Sequence, residues 1–234
     1  MASDTSAPAP APTPYRQIRA HYDTHTITVY QAYSAAIAIP AVAQQKLNAS
    51  PAYSLDRMTW IKPSWAWMLY RSRYSYKDDR QAHILALKLT HEAFESLLRC
   101  AVLSDDPGLV GKQRGQRDQQ GKRVKDGSGK VRERTASVRV QWDPERSVRL
   151  ERLGYRSIQI GVPGGSKLDW ADGIVEIEDV TERARRLKKV LDEDVDGKLR
   201  LEELIETGLV PVEKEYVVDE EMREILGMDV ADKK

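Results

Sequence analysis

Arg57-Met58-Thr59-Trp60-Ile61-Lys62-Pro63-Ser64-Trp65-Ala66-Trp67-Met68-Leu69-Tyr70-Arg71-Ser72 holds three of the five tryptophans of this 234-residue chain. Cations stand at both ends and in the middle. Pro63 fits the start of a helix, because a first-turn position needs no proline N–H. The stretch therefore reads as an extended segment through Trp60 and Lys62, then a helix from about Ser64. Trp67 and Arg71, four apart, share one face of it. Large rings supply burial energy but each indole needs a partner for its N–H. Arg and Lys beside them can stack or pair with anions. That mixture predicts a semi-buried pocket; the competing reading is a strand and helix whose cations snorkel to the surface.

Upstream, Thr26-Ile27-Thr28-Val29-Tyr30 is β-branched and reads as a strand. Gln31 to Ser34 closes it, and Ala35 to Leu47 is helical with Pro40 near its start. Polar residues at such a junction face free helix N–H groups. Downstream, residues 82–89 read as a buried strand. Thr90 then caps a helix from His91 to Leu103. Ser137 to Trp142 alternates as a strand and runs into Asp143-Pro144-Glu145-Arg146, read as a stiff turn. Tyr155 to Ile160 alternates again, with Tyr155, Ser157 and Gln159 on one face and Arg156, Ile158 and Ile160 on the other. Residues 163–165 make a turn. The charged remainder predicts helices at 181–191, 201–207 and 219–226.

Residues 1–14 are Ala/Pro-rich and cannot bury enough surface to fold, so a disordered tail is expected there. Residues 15–229 then form a single domain, with a charged helical C-terminal segment over 181–229. Residues 108–134 hold nine basic and three acidic side chains and almost no apolar ones. They predict a long flexible loop, either a solvated insertion or an arm for a phosphate backbone. Net charge is +1 and names no partner. Cys100, the lone cysteine, excludes an internal disulfide and a cysteine zinc site; it reads as inert core. No apolar run reaches membrane-spanning length and no secretory signal is legible, so an intracellular protein, cytoplasmic or nuclear, is expected.

Glycine fingerprints for dinucleotides, phosphate loops and nucleophile elbows are missing. Asp192 to Glu203 has the spacing of a calcium loop. Lys198 and Arg200 within it, and the want of a second such loop, favour an acidic solvated turn, and no other metal set is legible. Gln141, Asp143, Glu145 and Arg146 form the sharpest polar cluster. Arg16, Arg19, Arg71, Arg146 and Arg156 border predicted strands, where their forks suit phosphate or carboxylate or serve in structural ion pairs.

Six motifs carry a family resemblance: Arg-Gln-Ile-Arg-Ala (16–20), Val-Tyr-Gln-Ala-Tyr (29–33), Arg-Met-Thr-Trp-Ile-Lys-Pro-Ser (57–64), Met-x-Tyr-Arg-Ser (68–72), Gln-Trp-Asp-Pro-Glu-Arg (141–146) and Arg-Ser-Ile-Gln-Ile-Gly (156–161). With them the chain, over about residues 15–229, resembles the domain of unknown function DUF4291. The strand, Ala-rich helix, aromatic segment and later strand are also similar to ADP-ribosyltransferase-like and RNA 2′-phosphotransferase-like folds. That second likeness implies an α+β fold, a mainly antiparallel curved sheet with flanking helices. It implies a nucleotide- or NAD-handling transferase, with NAD over Trp60 and Lys62 and phosphates on Arg16, Arg19 and Arg71. Gln31 and Tyr33 would hold ribose or amide, and Glu145 would polarise the attacking group, with Gln31 and Glu145 the catalytic pair. The remaining ligand-binding set is Gln141, Asp143, Arg146 and Arg156. Gln31 stands where those families carry a His or Arg, and Glu145 follows a strand instead of ending one. The rival reading is a non-catalytic RNA- or DNA-binding module that stacks bases on aromatic faces.

Overall fold

The computed structural model describes residues 13–104, 137–164 and 170–229. The basic loop expected at 108–134 lies outside the described residues, as do all but the last two positions of the expected tail. The fold is mixed α+β, with six α-helices among the described residues. Three sheets, mostly antiparallel, replace the one curved sheet expected, and none is strongly curled.

The first sheet pairs β1 (Arg19–Ala20) with β9 (Lys214–Glu215). The second has the order β2 (Thr26–Tyr33), β4 (His83–Thr90), β8 (Ile174–Asp179). The third runs β3 (Thr59–Ile61), β7 (Arg152–Val162), β6 (Val138–Arg146), β5 (Ala101–Leu103). A bridge between Tyr30 and Lys62 joins the second to the third: the Tyr30 N–H donates to the Lys62 carbonyl at 2.7 Å.

Alternation along each strand divides the side chains between two faces. Ile27, Val29, Leu85, Leu87, Ile61, Val140, Trp142, Ile158 and Ile160 all fall in one buried cluster. Phe94 and Leu97 of helix α3 (His91–Arg99) and Met222 and Leu226 of helix α6 (Glu220–Leu226) belong to the same cluster. Ala38 and Ala41 of helix α1 (Ala35–Gln44) complete that side. Tyr30, Ile84 and Ala86 face the other way. They meet Trp65, Met68 and Leu69 of helix α2 (Trp65–Ser72), Ala184 and Leu187 of α4 (Thr181–Glu193), and Leu204 of α5 (Leu201–Glu206).

Helix starts follow local chemistry. The Ser64 hydroxyl accepts from the Trp67 N–H at 3.0 Å, and the Thr90 hydroxyl from the Ala93 N–H at 3.2 Å, satisfying donors that the helix leaves unpaired. Three expectations need correction. The helix from His91 ends at Arg99, and the chain turns straight into β5. Cys100 at that corner is exposed, not core. The Asp143-Pro144-Glu145-Arg146 segment is strand, not turn: β6 runs through it with a register shift between Pro144 and Arg146. A bulge there tolerates the missing proline N–H.

Candidate functional site

The face of the third sheet opposite the apolar cluster is polar. Register places Gln141 against Gln159 and Asp143 against Ser157, while Trp60 pairs with Gly161. The Gln159 amide donates to Gln141 Oε1 at 2.7 Å. Trp60 depends on its neighbour: a Cβ at position 161 would fall 2.8 Å from two atoms of the indole. Glycine there lets the ring lie close to the sheet. Lys62, one strand repeat further, shares this face.

Lys62 is 3% exposed. Its Nζ stands 3.8 Å from the centre of the Trp67 ring. Burial holds its pKa well below the ordinary lysine value; Asp143 pulls it back up and Arg71 pushes it down. An amine so placed binds a proton less readily than a surface lysine, and an incoming anion would strengthen its hold on that proton.

Beneath this open face lies a second ionisable cluster. The bulge lets Glu145 and Arg146 both reach α2. Glu145, 4% exposed, accepts from the Ser64 hydroxyl at 2.9 Å and the Arg146 N–H at 2.7 Å. The Arg146 guanidinium lies 3.9 Å from the centre of the Tyr70 ring. Glu213 accepts from the Trp65 N–H at 2.6 Å. Burial first, then the charge of Glu145, lifts the Glu213 pKa to about 8. Burial likewise raises that of Glu145, against the hydrogen bonds that lower it. The first turn of α2 is thus occupied by two carboxylates of the chain itself. Tyr155, raised by burial and by Glu145, borders the pair.

Of the residues expected at the site, Asp143 and Arg71 both act on the charge of Lys62, and Trp60 and Gln141 lie on the same face of the third sheet. Glu145 sits below them. Gln31 and Tyr33 point to the opposite face of their strand. Gln31, 3% exposed, donates to the Trp60 carbonyl at 3.0 Å and accepts from the Tyr33 hydroxyl at 3.1 Å, so the two anchor the platform strand from behind. Arg16 donates to the Gly227 carbonyl, Arg19 to the Glu213 carbonyl, and Arg156 to the Tyr15 hydroxyl. These three are tied to the chain's own groups. Glu213 was missed: nothing in its local sequence marks it, and Trp65 lies 148 positions away.

The calcium-loop spacing forms no cage. Asp194 accepts from the Lys198 and Leu199 N–H groups and pairs with Arg149. Asp192, Asp196 and Glu203 pair with Lys188, Lys198 and Arg200. Among the described residues no group of three or more His, Cys, Asp or Glu side chains could hold a metal ion. None of the described helices is long and apolar enough to cross a membrane.

The family model described as "Domain of unknown function (DUF4291)" matches residues 17–216. The chain belongs to the DUF4291 family. Its matched span takes in every residue of the polar face and both buried glutamates. A comparison with curated proteins gives no match. The ADP-ribosyltransferase likeness finds no support in these comparisons.

Proposed function

We propose that this DUF4291 protein handles a nucleotide on the polar face of its third sheet, as a transferase of ADP-ribosyl type. The observation that carries the reading is Lys62, buried against Trp67 between Asp143 and Arg71, at the edge of the Trp60 platform. A flat indole offers a stacking surface to a base. Lys62 and Arg71 offer cations to phosphates, while Arg16 and Arg19 are tied to backbone carbonyls. The Gln141 and Gln159 amides offer hydrogen bonds to ribose or base. Transfer breaks the bond between ribose and nicotinamide, which leaves with the bonding pair. The ribose carbon joins an acceptor nucleophile, whose proton Asp143 accepts. Asp143, on the open face and acting on Lys62, takes this role in place of Glu145.

Calorimetric titration with NAD tests the reading, followed by chromatography for released nicotinamide with protein or nucleic-acid acceptors. Phosphate should raise the Lys62 pKa, so at a pH near that pKa binding should take up protons. The heat should therefore vary with the ionisation enthalpy of the buffer, and Lys62→Met should abolish both heat and dependence. No heat with NAD and no nicotinamide would end the transferase reading. Salt-sensitive binding of single-stranded RNA without any NAD response would favour the non-catalytic alternative.

A further inference from the structure

A recess of about 190 Å3 lies near the turn of the β6–β7 hairpin. Arg152, Gly154 and Arg156 line it from β7, Pro144 lines it from β6, and Tyr15 closes one side. Alternation along β7 puts Arg152, Gly154 and Arg156 on the face that further along carries Ile158 and Ile160 of the apolar cluster. Gly161, which pairs with Trp60, falls on the other face. The recess is therefore on the reverse of the nucleotide face.

The lining holds two guanidinium groups and no carboxylate. Neither is spent on an ion pair among the described residues, whereas Arg149 in the same hairpin is paired with Asp194. Arg156 donates through Nε to the Tyr15 hydroxyl at 2.7 Å and through Nη1 to the Trp142 carbonyl at 3.5 Å. Both acceptors are neutral, so these bonds orient the fork without cancelling its charge. Arg152 is exposed and makes no hydrogen bond, ion pair or ring contact with a described residue. Arg16, bridged to Arg156 along the backbone, adds a third cation whose bond goes to a carbonyl, that of Gly227. Glu145 acts on Tyr155 beside the recess, but it is buried and already held by the Ser64 hydroxyl and the Arg146 N–H. Gly154 supplies the room: a Cβ there would meet nothing within 4 Å.

We propose that this recess binds the phosphate group of a small phosphomonoester, held over Gly154 between the oriented Arg156 fork and the free Arg152 fork. Guanidinium forks match phosphate oxygens in geometry and charge, and these side chains are long enough to converge above the glycine between them. The volume is below that of sites for drug-sized ligands, so it suits one phosphate with a short organic body. The recess shares no residue with the nucleotide face, so it stands or falls independently of that reading.

The test is a titration of the full chain with phenyl phosphate and with inorganic phosphate, followed by NMR of isotope-labelled protein. Shifts should centre on Tyr15, Gly154 and Arg156 and saturate with a Kd on the order of 1 mM or tighter. Benzoate, a monoanion with the same ring, should bind at least ~10-fold more weakly than phenyl phosphate. Arg152→Gln should weaken phenyl phosphate ~10-fold or more, since hydrogen bonds to charged groups are the stronger ones. Gly154→Leu should block binding with every arginine in place, and thermal melting of both variants establishes that they fold. No saturable shift, shifts that centre on Lys62 instead, equal binding of benzoate, or unchanged affinity in both folded variants would overturn the proposal. Tighter binding of the inorganic ion than of the ester would overturn the ester assignment.

Discussion

Two buried ionisable clusters sit a strand repeat apart beside helix α2, and they are built on opposite logic. Lys62 and Asp143 carry opposite charges at the edge of an open face. Glu145 and Glu213 are two groups that would carry like charges beneath it, where the Ser64 hydroxyl and the Trp65 N–H meet them. The first pair sets an amine between the Trp67 ring and Asp143, where a ligand can shift its proton affinity. The second is held by the chain's own donors and fixes where α2 begins. Burial alone therefore does not mark a site; what matters is whether the buried group borders an open face.

The largest effect should come from removing the large ring at the start of α2. Trp65 is 1% exposed and packs 5.1 Å, centre to centre, from Tyr30. Trp65→Ala should cost ~3–5 kcal/mol. Calorimetry should record a fall in melting temperature on the order of 10 °C. A much smaller fall would mean that α2 is not the common support of both clusters.

The next effect separates the clusters by pH. The Glu213 pKa is raised from 4.5 to about 8 in the folded chain. The folded state then holds the extra proton, so this contribution to stability is full below pH 4.5 and is lost as pH rises toward 8. Lys62 has the reverse sign. Its pKa is lowered from 10.5, so its contribution grows as pH rises toward 10.5 and is lost as pH falls through the lowered value. Glu213→Gln should leave the melting temperature near the parent's at pH 5 and raise it by roughly 3–6 °C at pH 8.5, the shift of one to two kcal/mol in a chain this long. Identical pH profiles in variant and parent would remove the like-charge account.

The smallest effect on stability belongs to the proposed site. Lys62→Met replaces a buried amine by an apolar chain of similar length. It should leave the stability at pH 6 within about 1 kcal/mol of the parent or above it, as buried charges often allow. A loss of several kcal/mol in a thermal melt would make Lys62 structural, on a par with Glu145.

Much of the scaffold was legible in the sequence. The β-branched run at Thr26–Tyr30, the caps at Ser64 and Thr90 and the two-faced alternation of Tyr155–Ile160 are local signals, and local chemistry decides them. β8 was not legible, because Glu176, Glu178 and Asp179 hide a short strand whose buried Ile177 packs from only one side. Proline usually breaks a ladder, so the sequence alone reads a turn at Pro144, and only the pairing with β7 shows the bulge. At the site, residue type singles out Trp60, Lys62, Arg71 and Asp143, and the fold sets them about one sheet face. Faces were the difficulty: Gln31 and Tyr33 alternate with Tyr30 and point away from Lys62. Glu213 needed the whole fold, since its raised pKa comes from burial and from a glutamate on another strand.

The most direct measurement is the titration of Lys62 itself. In protein labelled with 15N at lysine Nζ and 13C at Cε, with Lys62→Arg to assign the signal, its resonance should titrate well below 10.5 and move upward when NAD is added. A Lys62 resonance that titrates with the surface lysines and ignores NAD would contradict the claim that this buried amine is poised for an anionic ligand.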